Sequence, residues 1–407
     1  MKQTDVLICG GGMVGLTLGL ALAQGGLKTT IADVARPSAL LDPKFDGRVS
    51  ALAYASVRML TALGVWDRLE PDAQPIREIL VSDGKPGRPA SPFSLHFDAA
   101  ELDVASLGHI AENRHIRAAL YGAVESAPDL ELIAPASVEN ISTETGAIVA
   151  RLAGGEEVKA SLAIAADGRD SALRAQAGIS TIGWSYPQTG IVATVSHEKP
   201  HNGVAYEHFL ASGPFAILPM TGNRSSLVWT EAKAKAPAML ALDEVGFNAE
   251  IARRFGSHLG ATQADGPRWS YPLSFHLARN FVAHRFALAG DCAHGIHPIA
   301  GQGLNLGLKD AAALAEVLLD AARLGQDIGA ADVLRRYERW RRFDSFTLAA
   351  STDALNRLFS NDIAPLRAMR DLGLGIVDAI GPARRFLMRH AGGDVGKLPR
   401  LMRGEAA

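Results

Sequence analysis

Hydrophobic positions follow two regimes along the chain. Near the start, Asp5-Val-Leu-Ile-Cys9 is an unbroken apolar run of strand length, which predicts a buried parallel strand. It leads into Gly10-Gly-Gly12-Met13-Val14-Gly15. Beyond that turn Leu16, Leu18, Leu20, Ala21 and Ala23 predict a helix buried nearly all round, ending at Gly25-Gly26. A second apolar run, Thr29–Ala32, ends in Asp33. Buried strands of the same kind are predicted at 162–166 and 285–289, the latter followed by a long apolar helix through Leu308, Ala312, Ala315, Leu318 and Leu319. Residues 179–280 differ, with short β-branched and aromatic runs at 189–196, Val204–Leu210, 215–220 and 225–230. Turn clusters at Pro200-His-Asn-Gly203, Ser212-Gly-Pro214 and Thr221-Gly-Asn223 separate these runs, so an antiparallel sheet is predicted there, inserted between parts of a nucleotide-binding domain. From Ala331 onward the period is helical.

Composition narrows the class. The chain has 407 residues, 48% hydrophobic and 21% charged, enough for a large core in two or three domains and too apolar for disorder. Lys and Arg number 41 against 43 Asp and Glu, so no basic surplus points to nucleic acid. The only cysteines, Cys9 and Cys292, suggest a reducing compartment without a disulfide framework. No charge occurs between Asp5 and Lys28, yet Gly10, Gly11, Gly12, Gly15, Gly19, Gly25 and Gly26 interrupt the stretch and no basic n-region precedes it. It reads as soluble core rather than a span or secretory signal, and a cytoplasmic location is expected. The tail, with 14 Lys and Arg against 9 Asp and Glu over residues 331–407, mixes positive charge with apolar side chains in Arg335-Arg-Tyr-Glu-Arg-Trp-Arg-Arg342 and Arg384-Arg-Phe-Leu-Met-Arg389. That fits peripheral contact with an inner membrane surface, and equally a solvated face on a helix packed against its own domain.

Strand, glycine turn, helix, strand and acid, with Asp33 18 residues past Gly15, is the order that a dinucleotide-binding unit requires. Gly10 permits the tight turn, Gly12 lets backbone N–H groups approach a pyrophosphate at the helix N-terminus, and Gly15 lets helix and strand pack closely. Asp33 would accept a ribose hydroxyl, which argues against a 2′-phosphate. The fingerprint alone does not separate FAD from NAD. Downstream, Gly290-Asp291 and the glycine turn Gly301-Gln-Gly303-Leu304-Asn305 place a carboxylate at a strand end and N–H groups at a helix start. Such an arrangement fits the ribityl chain and the N1/C2=O edge of a flavin.

Three separated motifs resemble the group A flavin monooxygenases of the para-hydroxybenzoate hydroxylase fold: Gly10-x-Gly12-x-x-Gly15, the Asp167-Gly168 pair in Ala165-Ala-Asp-Gly-Arg169-Asp170-Ser171, and Gly290-Asp291 with its helix. Further segments are similar to the branch of ubiquinone-biosynthesis hydroxylases that act on polyprenylated phenols. They are Asp46-Gly-Arg48-Val-Ser-Ala-Leu52, Glu112-Asn113-Arg114-His115-Ile-Arg117, the run from Gly290 to Gly307, Tyr337-Glu-Arg-Trp-Arg341-Arg342 and the 352–361 segment. This resemblance implies FAD as cofactor, with Arg48 and Arg117 contacting it, Asn113 and Arg114 near it, and Asp167 serving both FAD and reduced nicotinamide. His297 and Pro298 would lie beside the reactive flavin edge, His297 as a candidate for orienting a phenol or simply as a packing histidine. Cys292 and His208 stand where the branch usually has alanine and arginine.

The fold expected is α/β: a Rossmann-like FAD-binding domain (1–70, 106–178 and 280–335), an inserted, mostly antiparallel β-sheet substrate domain (71–105 and 179–279), and a C-terminal helical region (336–407). Cys292-x-His294-x-x-His297 is too short of ligands for a metal site. No Cys-x-x-Cys pair supports disulfide-reductase chemistry.

The expected activity is FAD-dependent hydroxylation of a polyprenylated phenol on the route to ubiquinone. Reduced flavin and O2 would give a C4a-hydroperoxide whose distal oxygen goes to the ring. NADPH, NADH or a redox protein would be the donor, a biosynthetic assembly a conceivable partner, and nucleic acid none. Rival readings are a hydroxylase of a small soluble aromatic or secondary metabolite, and an FAD protein that reduces or senses without inserting oxygen.

Overall fold

The structure is a computed structural model and describes residues 1–42, 44, 46–87, 91 and 93–407. The first apolar run forms the strand Lys2–Cys9 at the centre of a parallel sheet. In spatial order its parallel members are Phe286–Leu288, Glu157–Ala165, Lys2–Cys9, Thr29–Ala32 and Leu130–Ile133. Both faces are covered, which is why these strands read as continuous hydrophobic stretches rather than alternating ones. The helix Met13–Gln24 is buried from Gly15 through Ala23, sandwiched between this sheet and the long helix Gln302–Arg323. The strand expected at 285–289 is shorter than its pattern suggested, because Arg285 takes a left-handed backbone (φ 52°) and starts no ladder.

The second sheet has eight strands. Its order runs His294–Gly295, Thr262–Ala278, Thr181–His197, Arg224–Ala232, Gly213–Met220, Val204–Leu210, Glu78–Asp83, Ser94–Asp98. All neighbours are antiparallel except Val204–Leu210 beside Glu78–Asp83. Each of the four short runs named from sequence is a strand here, and two 17-residue strands, Thr181–His197 and Thr262–Ala278, extend past anything the pattern indicated. Phe215, Ile217 and Trp229 on one face of this sheet pack under the helix Glu244–Phe255 through Phe247, Ile251 and Phe255. The opposite face is turned toward the flavin-type motifs. A three-stranded sheet, Val49–Ala53, Gly108–Glu112 and Gln74–Ile76, joins the two. The tail forms the helices Ala331–Phe359, Ala364–Ala379 and Gly381–Ala391. Among the described residues no helix is long and apolar enough to cross a membrane.

Candidate functional site

The three glycine–acid turns lie at the C-terminal ends of three adjacent parallel strands. Backbone bonds stitch those ends together: Gly10 N donates to Ala32 O at 2.8 Å, Ala166 N to Cys9 O at 2.8 Å, and Ala289 N to Ala165 O at 2.9 Å. Arg174 adds a side-chain tie, its guanidinium donating to Arg169 O and Cys292 O, both at 2.9 Å. Motifs separated by more than a hundred residues therefore share one edge, where ligands of open α/β sheets sit.

Glycine is required at Gly10 and Gly15 for packing. A Cβ at Gly10, whose φ is +114°, would come within 2.3 Å of Ala166 O, and one at Gly15 within 2.0 Å of Gly10 O. At Gly12 and Gly303 a Cβ would meet nothing within 4 Å, so both present bare backbone to open space. They flank the starts of the helices Met13–Gln24 and Gln302–Arg323, neither of which has a side-chain cap or an acid in its first turn. Two positive helix ends thus face one cavity of about 1340 Å³, whose wall includes Gly12, Met13, Val14, Asp291, Gly301 and Leu304. This cradle fits a dinucleotide with an anionic middle. Asp33 accepts from Gly11 N at 2.5 Å and Ala35 N at 2.7 Å, fixing its carboxylate beside the first turn. Asp291 lies exposed on the cavity wall.

Arg48 and Arg117 reach the cavity wall through an organiser that sequence reasoning quoted but gave no role. Asp46 accepts from Arg48 Nε at 2.8 Å, Arg117 at 3.0 Å and Asn113 Nδ2 at 3.1 Å. Burial alone would push the Asp46 carboxyl up, but Arg48 and Asn113 overcome that and hold it far below the usual carboxylate range. Asn113 Oδ1 accepts from Ser50 at 2.7 Å, which ties the arrangement to the strand Val49–Ala53. Arg114 instead pairs with Glu112 at 2.8 Å.

Other expected site residues have different tasks in the structure. The Asn305 side chain is fully engaged with the strand Val49–Ala53 and its neighbour, accepting from Ala53 N (2.9 Å) and Ser56 Oγ (2.8 Å) and donating to Ala51 O (2.8 Å). It braces the cavity wall and has no side-chain group left for a cofactor. Asp167 hydrogen-bonds Ser171 ahead of the helix Ala172–Gln176, while Ala166, Gly168, Arg169 and Asp170 are the parts of that turn on the cavity wall. Pro298 lines the cavity; His297 does not. His297 is fully buried, its ring edge-on to Tyr186 at 5.2 Å, and neither ring nitrogen has a hydrogen-bond partner among the described residues. Burial pushes its imidazole down to about 4. The three members of Cys292-x-His294-x-x-His297 diverge: Cys292 Sγ donates to Ala165 O and Ala289 O, and His294 pairs with Asp310.

Asp310 and Arg341 escaped the sequence reading as site residues. Asp310 is fully buried and accepts from Gly290 N (3.1 Å), His294 Nε2 (2.5 Å) and Arg341 Nε (2.8 Å), so the helix Ala331–Phe359 props up the Gly290-Asp291 turn. Tyr337 of the same helix donates to Leu288 O at 2.7 Å. An acid whose neighbours three and four positions away, Leu306, Gly307, Ala313 and Leu314, all lie on the apolar face of the helix was the available signal, since such an acid must have partners.

Away from the turns the cavity becomes apolar. Val81, Leu95, Phe97, Phe209, Phe359 and Leu374 line it, as do Phe386 and Leu387, which are themselves 58% and 38% exposed. The polar cradle and the apolar lining belong to one continuous space.

Comparison with known proteins agrees with that geometry. A family model described as "FAD binding domain" matches residues 3–344. A ubiquinone hydroxylase, UbiL, of Rhodospirillum rubrum is 49% identical over 407 residues, covering 99% of this chain and 93% of its own. The 3-demethoxyubiquinol 3-hydroxylase of Escherichia coli is 36% identical over 394 residues, covering 96% of this chain and 98% of its own. Among solved structures, the p-nitrophenol 4-monooxygenase PnpA of Pseudomonas putida superposes with a TM-score of 0.81 at 18% identity, over 98% of this chain and all of that one.

Proposed function

The chain belongs to the FAD-binding family of group A flavin monooxygenases and is an FAD-dependent aromatic-ring hydroxylase, and from that premise we propose that its substrate is a polyprenylated phenol of ubiquinone biosynthesis. The observation that carries the proposal is the single cavity of about 1340 Å³ lined both by the glycine turns and by the exposed Phe386 and Leu387. A small soluble aromatic would leave most of the apolar arm unfilled. A prenyl tail fills it, at about 0.8 kcal/mol for each buried CH2.

Bound flavin supplies reduction of O2 and delivery of one oxygen atom. The two helix starts would hold its pyrophosphate, and Asp33 and Asp291 its sugar hydroxyls. Arg48 and Arg117, aligned by Asp46, supply positive charge on the wall, and Gly301, Gly303 and Leu304 would meet the flavin ring. Pro298 closes the wall beside them. The apolar arm excludes water around the reacting ring and orients it through its tail. Reduced nicotinamide, NADPH or NADH, is the proposed donor.

Exposed Phe346, Met369, Leu372, Ile376, Ile380 and Phe386 on the tail helices, with exposed Arg385 and Arg389 beside the cavity mouth, suit peripheral contact with an anionic bilayer from which such a substrate is drawn. The test is a single turnover: holoenzyme reduced with dithionite without air, given a prenylated phenol in liposomes or a soluble phenol, then 18O2. One labelled oxygen in the prenylated product, with soluble phenol turned over far more slowly, is expected. Equal turnover of both, with no liposome binding, would select the soluble-aromatic reading, and reoxidation without labelled product would remove hydroxylation.

A further inference from the structure

The cavity face of the second sheet carries one row of side chains across six strands. Register places Leu95 beside Val81, Val81 beside Glu207, Glu207 beside Ala216, Ala216 beside Val228, and Val228 beside Val192, and all six line the cavity. Five are apolar and the sixth is a carboxylic acid. Along its own strand Glu207 alternates with Ala205 and Phe209, both buried and on the cavity wall. The intervening His208 points to the other face, where it bonds Ser82 Oγ at 2.7 Å. Among the described residues nothing hydrogen-bonds or pairs with the Glu207 carboxyl. An acid desolvated in an apolar wall without a partner is destabilising unless something in the cavity meets it. It stands third in the row of six, with apolar neighbours on both sides.

We propose that Glu207 is a catalytic residue: its carboxylate takes the hydrogen bond and then the proton of the substrate's ring hydroxyl. The O–H bond of the phenol breaks, its electron pair stays on the ring oxygen, an O–H bond forms on Glu207, and no electron changes hands. The ring becomes phenolate-like, and so more nucleophilic at the carbons ortho and para to that oxygen, which oxygen transfer demands. Apolar surroundings push the Glu207 carboxyl up to about 8, making it a stronger base than an ordinary glutamate. The other charged or titratable groups on the cavity wall are Arg48, Arg117, Arg169, Asp170 and Asp291 at the nucleotide end, and Tyr206, Tyr271 and His390 elsewhere. Asp83, two positions from Val81 on the adjacent strand, is paired with Arg370 of the helix Ala364–Ala379. Burial pushes Tyr271 up to about 12, which keeps it neutral through the range where Glu207 ionises.

This assignment rests on the hydroxylase reading of the cavity, so the experiment has a binding arm that does not depend on turnover. FAD-loaded wild type, Glu207→Gln and Glu207→Leu are titrated with a short-chain prenylated phenol and with its methyl ether, following the flavin absorbance. Wild type is expected to prefer the phenol about tenfold, the strength of one charge-assisted hydrogen bond, and Glu207→Leu to lose that preference with FAD content unchanged. In turnover, wild-type kcat rises as pH passes through about 8, while Glu207→Gln shows kcat lower by about 100-fold, KM within about threefold, and no such rise. A Leu variant that still prefers the phenol, or a Gln variant with wild-type kcat and pH profile, overturns the proposal. If wild type shows the preference but makes no hydroxylated product, the functional reading fails while Glu207 as the hydroxyl acceptor stands.

Discussion

Asn305 and Asp46 show how a single side chain can shape a binding cavity by bracing its neighbours. Asn305→Ala removes two hydrogen bonds to the strand Val49–Ala53 and one to Ser56 just beyond it, and should cost about 1–3 kcal/mol, read as a lower thermal midpoint together with weaker FAD retention on dilution. Asp310→Ala removes the buried carboxylate shared by Gly290, His294 and Arg341, leaves the fully buried Arg341 with the part-exposed Asp344 as its carboxylate partner, and should cost about 3 kcal/mol; an unchanged thermal midpoint would show that the network bears no weight. The Asp310 carboxyl sets an acid limit. Burial raises it, His294 and Arg341 overcome that, and its net depressed value means that its stabilisation, complete above about pH 4, drains away as pH falls further. His297 acts over a higher window: its unfolded value is near 6.5 and its folded value about 4, so its contribution is present above pH 6.5 and lost as pH falls toward 4. Because both ring nitrogens lack partners, His297→Leu should leave neutral-pH stability within about 1 kcal/mol and flatten that acid-side loss in a thermal-midpoint series across pH.

At the scale of elements, the helix start at Met13 separates packing from binding with one type of substitution. Gly15→Ala drives a methyl into Gly10 O and should lower stability of the FAD-free protein by about 1–3 kcal/mol. Gly12→Ala, extended at φ −71° with free space beyond, should leave that stability unchanged and weaken FAD binding; equal effects of the two would refute the division. The glycine–acid turns were legible in sequence because local backbone geometry dictates their residues. So were the strands Val204–Leu210 and Gly213–Met220, where apolar runs end in turn residues. The strand Thr262–Ala278 was not: Asp265-Gly-Pro267 breaks its pattern, and a register irregularity against Val192 and Thr194 absorbs the break. Side-chain commitments fixed by distant partners were also illegible. Asn305 reads as part of a cofactor turn until the strand 252 residues earlier is seen to claim it. Glu207 became meaningful only once register showed which face of its strand looks inward.

For the whole molecule, the cavity unites surfaces from the first glycine turn to the helix Gly381–Ala391, and its outer rim is greasy. Replacing Phe386 and Leu387 together by Ser should reduce flotation with anionic liposomes. It should also raise KM for a long-chain prenylated phenol severalfold while leaving a short-chain analogue unaffected; matched losses on both would place the rim's role in folding instead. Chain order has a further consequence. The cradle is assembled from Gly10 to Gly15, Ala166 to Gly168 and Asp291 to Leu304, and its third piece is propped by Arg341. A ribosome must therefore release more than three-quarters of the polypeptide before any dinucleotide can be grasped. During synthesis the nascent amino-terminal strands wait without their ligand, and an interrupted translation product shorter than about 340 residues emerges unable to turn yellow.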